Sequence, residues 1–187
     1  MRYAALFLAL MLAACGRSPF HMTDISGAMP RLDFKLTRTS DSQTVTGQSY
    51  RGQVVILYFG YTNCPDICPA TLANMAGVLG KVNNKNVRLL FVTVDPTRDT
   101  PGTLNRYVHA FSPQFDGLRG SENELADVAR RYRVAYSVDT KPPNTVMHSN
   151  AVFFFDRAGK ARLVTTDTSD MAAMAADVRR LLSDGSP

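Results

Sequence analysis

Cysteine and histidine are scarce in this chain. Three of each in 187 residues allow at most one cysteine pair with one left over, and only three imidazoles, His21, His109 and His148. Long apolar runs are missing too. The one near the N-terminus is shorter than the ~20 residues needed to cross a bilayer, and no second run follows. There is no internal repeat, which excludes array folds. Positive charge is modest and dispersed: the formal net charge is +5, and the densest basic group is Arg130, Arg131 and Arg133, read as a solvated helix face. No aromatic interleaving or known motif accompanies it, so nucleic acid is not an expected partner.

The N-terminus has one positive charge, an apolar core and then small residues, ending in Leu12-Ala13-Ala14-Cys15. This order is that of a secretory signal, and its last four residues resemble a bacterial lipobox. Residues 1–14 are expected to be a lipoprotein signal peptide, with Cys15 lipidated as the first mature residue; an ordinary export signal that discards Cys15 is the alternative. Either way Cys64 and Cys68 remain as the pair, outside the cytoplasm, on the periplasmic or cell-exterior face. A dithiol there needs a reductant or a metal to stay reduced.

Removing residues 1–14 from 187 leaves 173, enough for one domain with a sizeable core. Residues 15–30 carry Gly, Ser and Pro without periodicity and read as a lipid-anchored tether; residues 31–187 form the domain. An extended entry segment with a hairpin at residues 44–52 is followed by Val54–Gly60, a continuous apolar run typical of a central strand. Leu72, Met75, Ala76 and Leu79 recur at helical spacing. Residues 87–94 form a second buried strand. Thr100 and Pro101 suit the cap and first position of a helix bearing Leu104, Tyr107, Val108 and Phe111. Ser121 and Glu124 form a capping box for the next helix. A short strand at residues 134–138, a hairpin turning at residues 156–160 and a last helix capped by Ser169 and closed near Gly185 complete the chain. The fold class is α/β: a central mixed sheet flanked by helices, with parallel strands joined by a βαβ crossover and a cysteine pair after the first central strand, a thioredoxin-like arrangement.

The pair sits in Tyr61-Thr62-Asn63-Cys64-Pro65-Asp66-Ile67-Cys68-Pro69, near a helix N-terminus that favours thiolate. Thiolate is both a nucleophile and a soft metal ligand, so a redox-active pair and a metal site are both open. Four-apart positions on a regular helix hold Cβ atoms about 5–6 Å apart, wider than the roughly 3.5–4.5 Å of a disulfide. One ion touched at about 2.3 Å by each sulfur bridges that gap, which favours metal modestly. His21 lies in the tether and His109 lies off its helix's apolar stripe. His148 borders the strand at residues 151–155, whose entry loop lies against the cysteine loop in a thioredoxin-like fold; it is the candidate third ligand, a hydrogen-bonded loop histidine being the alternative. Two thiolates and one imidazole suit copper, Cu(I) or Cu(II), better than zinc, which wants a fourth ligand.

These segments resemble the Sco/SenC copper proteins, which help assemble the copper centre of cytochrome c oxidase. The likeness is carried by Val54–Gly60 with the cysteine motif, by Phe91-Val92-Thr93-Val94-Asp95-Pro96-Thr97-Arg98-Asp99-Thr100-Pro101, by Gly117-Leu118-Arg119-Gly120, and by His148-Ser149 with Phe153-Phe154-Phe155-Asp156-Arg157-Ala158-Gly159. It covers about residues 24 to 182. It implies a thioredoxin-like domain with Cys64, Cys68 and His148 as copper ligands. It also implies the copper-centre subunit of the oxidase as partner, with a periplasmic copper donor or thiol reductant upstream. The family usually has an acidic residue where this chain has Met147, whose thioether is either a weak extra ligand or a packed or exposed side chain. Asp66 and Asp95 are candidates for carboxylates supporting the site, or solvated loop residues. The resemblance implies a membrane-anchored metallochaperone rather than an enzyme, with a thiol–disulfide oxidoreductase as the alternative. A peroxidase is the third reading, weakened by Tyr61 standing where peroxiredoxins usually place a threonine.

Overall fold

The structure, a computed structural model, describes residues 20–138 and 146–184. Cys15, residues 16–19 of the tether, part of the loop before His148 and the helix stop at Gly185 lie outside the described residues. The strands are β1 (Thr23–Asp24), β2 (Lys35–Arg38), β3 (Thr44–Thr46), β4 (Val54–Gly60), β5 (Val87–Thr93), β6 (Phe115–Arg119), β7 (Tyr136–Val138), β8 (Val146–His148), β9 (Val152–Phe155) and β10 (Ala161–Thr165). The helices are α1 (Ile67–Val82), α2 (Pro101–His109), α3 (Glu122–Arg131) and α4 (Met171–Ser183).

Every residue of β4 is buried, as its uninterrupted apolar sequence requires of a strand covered on both faces. It lies at the centre of an eight-stranded sheet ordered β1-β10-β9-β4-β5-β6-β2-β3. β4, β5 and β6 run parallel; β9 and β10 return antiparallel on one side, and β2 and β3 on the other. α1 crosses from β4 to β5 and packs against α4. β7 and β8 form a separate hairpin ladder that pairs Tyr136 with His148. This mixed sheet with flanking helices is the expected α/β class. Thr100 caps α2 by accepting from the Thr103 N–H, with Pro101 at its first position, and the Ser121–Glu124 capping box opens α3.

Four local expectations differ. Residues 20–30 are not free tether: Phe20 and Met22 join the core, Thr23 and Asp24 pair with β10, and the Asp177 carboxylate accepts from the His21 and Met22 N–H groups at 2.9 and 2.8 Å. Arg162 and Arg180 lie over the Phe20 ring, at 5.5 and 5.7 Å, an arrangement that favours the apolar anchor over solvent. The hairpin expected at residues 44–52 sits earlier, between β2 and β3, and its turn includes Ser42 at φ 57°. A strand unread in the sequence, β6, lies between α2 and α3. Asp170, not Ser169, caps α4 by accepting from the Ala173 N–H at 2.9 Å, because Ser169 falls one residue too early. No described helix is long and apolar enough to cross a membrane.

Candidate metal centre

The cysteine segment turns sharply as β4 ends. The Cys64 N–H donates to the Tyr61 carbonyl at 3.3 Å, and α1 begins at Ile67 with no side-chain cap from Asp66. One of the unpaired N–H groups of that first turn finds a sulfur instead: the Cys68 N–H donates to Cys64 Sγ at 3.4 Å. Cys68 then faces inward, fully buried, while Cys64 retains 8% exposure at the surface. Gly60 makes this approach possible, since a Cβ there would lie 2.8 Å from Cys68 Sγ and 2.7 Å from the Phe91 ring.

His148 ends β8 and meets the pair from the opposite side. Its Nε2 lies 3.2 Å from Cys68 Sγ, and its Nδ1 lies 2.9 Å from the Ser149 carbonyl. A carbonyl only accepts, so Nδ1 carries the proton; in the neutral ring this leaves the Nε2 lone pair aimed at the sulfur. Burial pushes the Cys68 thiol up to about 12, with nearby hydrogen bonds only partly offsetting it. The helix N-terminus was expected to favour thiolate, but desolvation outweighs it at Cys68. A Cys68 thiol at this distance is placed to donate to Nε2, so the same two atoms can share a proton or a metal ion.

The donor atoms of Cys64, Cys68 and His148 all lie within 4.8 Å of one another. Sulfurs at about 2.3 Å and a nitrogen at about 2.0 Å from one ion are separated by at most about 4.6 Å, so the trio can close on an ion with little rearrangement. Two sulfurs and one imidazole form a soft donor set of low coordination number, which fits copper.

Around the trio the signature after β5 acts as a brace. Asp99 is fully buried; its carboxylate accepts from Thr62 Oγ1 and Thr93 Oγ1, both at 2.6 Å, and from the Thr62 N–H at 3.2 Å. It thus ties the cysteine turn to β5. Burial raises its pKa and these hydrogen bonds oppose the rise. Asp95, also buried, pairs with Arg98, whose guanidinium lies 6.0 Å from the Tyr61 ring centroid. Tyr61 stands edge-on to the His148 ring at 5.8 Å and 89°, and its hydroxyl donates to the Val146 carbonyl at 3.4 Å. The second signature therefore supports both the cysteine turn and the histidine.

Asp95 is thus buried and paired with Arg98 beside Tyr61, rather than solvated, whereas Asp66 is exposed and Met147 is 71% exposed. Met147 and His148 are neighbours on a strand and point to opposite faces, so with His148 turned inward Met147 is directed away from the trio. His21 and His109 are exposed and outside it. Asp99 escaped the sequence reading. Its one signal was its place four residues after Asp95 in a segment too short of apolar residues to suggest burial. A groove of about 760 Å³ between residues 94–98, α3 and β7 reaches the edge of the site at Arg98 and Tyr136.

Comparison with known proteins gives this arrangement a family. Residues 24–183 match the model of the SCO1/SenC family. A SCO2-like protein of Rickettsia conorii is 35% identical over 134 residues, 68% of this chain and 65% of that protein; the chain thus spans somewhat less than two thirds of that relative. Copper-bound ScoI of Arabidopsis thaliana superposes with a TM-score of 0.76 at 32% identity, covering 83% of this chain and 99% of that one. Copper-bound ScoI of Bradyrhizobium japonicum gives 0.73 at 32%, covering 81% and 98%. With the family model matching most of its length and the same thioredoxin-like fold in those structures, the chain belongs to the SCO1/SenC family.

Proposed function

We propose that the protein binds one copper ion through Cys64, Cys68 and His148 and delivers it to, or prepares, the copper centre of cytochrome c oxidase. The observation that carries this reading is the convergence of two sulfurs and an imidazole Nε2 within 4.8 Å at the rim of the sheet. Copper bound to relatives of the same fold supports it. The described residues expose three large apolar side chains, Ile67, Val138 and Met147. Ile67 lies between the cysteines, Met147 precedes the histidine, and Val138 is on the strand paired with it. Exposed apolar side chains on the segments that carry the candidate ligands suit a protein partner, here the oxidase subunit that receives the copper.

Anaerobic titration of reduced protein tests the reading. One copper per chain is expected. Cys64→Ala and Cys68→Ala should each abolish tight binding; His148→Ala should weaken it and change the Cu(II) spectrum, while His109→Ala does neither. Full affinity after loss of either thiol overturns the proposal. A second reading, reduction of a client's cysteines by the Cys64–Cys68 dithiol, draws on the unequal burial of the two sulfurs, since the outer one can reach a partner. The same site serves both.

Cys15 is proposed as the lipidated residue that holds the domain on the periplasmic or cell-exterior face of a membrane. Cys15→Ser should then yield a soluble protein with its copper site intact, scored by membrane fractionation; a variant still in the membrane fraction points to an uncleaved helix.

A further inference from the structure

Beside the ligands lies a buried polar side chain that the metal reading does not use. Tyr58, fully buried in β4, directs its hydroxyl at Cys68 Sγ over 3.6 Å, within reach for a sulfur acceptor. Its ring also stands edge-on to His148, with centroids 6.1 Å apart at 68°, and packs on Phe91 at 5.8 Å. One side chain therefore touches two of the three ligands. A polar atom is costly at this depth unless satisfied, and the sulfur helps satisfy it.

We propose that Tyr58 is a positioning residue that holds Cys68 Sγ by hydrogen-bond donation and so sets the electron density and the redox balance of that sulfur. The inference rests on Cys64, Cys68 and His148 being the working site. A donor aimed at sulfur stabilises the thiol or thiolate more than the disulfide, whose sulfur is the poorer acceptor. It also lowers the energy of the sulfur lone pair that a bound Cu(II) would draw on.

Tyr58→Phe removes one oxygen and keeps the ring. The control is Tyr132→Phe, which removes a buried hydroxyl bonded to the Asp33 N–H at 2.8 Å, away from any sulfur. Copper-free full-length protein is equilibrated with reduced and oxidised glutathione. In that exchange the two thiols give two electrons and two protons to glutathione disulfide, forming the Cys64–Cys68 bond and two glutathione thiols. Loss of a hydrogen bond contributing about 1 kcal/mol should favour the disulfide about five-fold in Tyr58→Phe, or about 20 mV at 29.6 mV per tenfold, and leave Tyr132→Phe unchanged. With Cu(II) added, the sulfur-to-copper charge-transfer band of Tyr58→Phe should move to lower energy. An unchanged exchange constant in Tyr58→Phe, or an equal shift in Tyr132→Phe, overturns the proposal. If wild-type protein binds no copper, the copper function falls, and the exchange constant still judges Tyr58. Should Tyr58→Phe not fold, proton NMR of reduced wild type decides: the shielded Tyr58 hydroxyl proton should show a cross-peak to the Cys68 β-protons, and a hydroxyl proton without that cross-peak overturns the assignment.

Discussion

At the scale of residues, Cys68 and Cys64 are not equivalent. Cys68 is sealed in, receives the Tyr58 hydroxyl and lies 3.2 Å from His148 Nε2; Cys64 sits at the rim with a helix N–H as its donor. A metal ion entering the trio must displace the Cys68 proton, so binding releases protons and strengthens as pH rises. Asp99 holds the turn on which this depends, and its pH response runs opposite to that of a paired surface carboxylate. Burial raises its pKa, so the folded chain holds that proton more tightly than the unfolded chain does. Its ionisation therefore costs stability as pH rises from about 4, the ordinary aspartate value, through the raised folded value. Urea unfolding between pH 4 and 7 should show wild type losing stability relative to Asp99→Asn with rising pH. At pH 7, Asp99→Ala should cost about 2–4 kcal/mol, because it leaves Thr62 and Thr93 donors without their acceptor.

At the scale of elements, the legible parts were those whose pattern is local. Val54–Gly60 and Val87–Thr93 announce themselves as buried strands, and Thr100-Pro101 and Ser121–Glu124 announce helix starts. β6 was not legible, because Asp116 and Gly117 interrupt its apolar run and its partner β5 lies more than twenty residues away. Asp116 is buried all the same, accepting from Tyr50 Oη at 2.9 Å, a contact no local pattern reveals. The β2–β3 turn escaped because Ser42 takes a left-handed φ of 57° without the glycine that usually marks such a position. The docking of residues 20–24 escaped because its acceptor, Asp177, is some 155 residues away and reads as one polar position in an amphipathic helix. Asp177→Ala should leave the His21 and Met22 N–H groups without that acceptor. It should cost about 2–3 kcal/mol and speed amide exchange at Met22 and Thr23, with the cysteine turn little affected.

At the scale of the molecule, the fold brings together candidate ligands that the chain keeps eighty residues apart. The cysteine pair was plain from its spacing, while His148 gained its place from the resemblance and its partners from the fold. The two chemistries then share two sulfurs, and their use is exclusive: a Cys64–Cys68 disulfide removes both thiolates as ligands. Copper should bind the reduced chain and not the oxidised one. It then stabilises the reduced state by RT ln(1 + [L]/Kd), about 4 kcal/mol when free copper is a thousandfold above Kd, which for a two-electron couple is about 90 mV. The Cys64–Cys68 couple should therefore become more oxidising in the presence of copper, measured against a redox buffer that does not chelate the metal. Oxidised protein should take up copper only after a reductant is added. Equal uptake by both forms would mean that the sulfurs are not the ligands, and the dithiol would then be left with thiol–disulfide exchange as its chemistry.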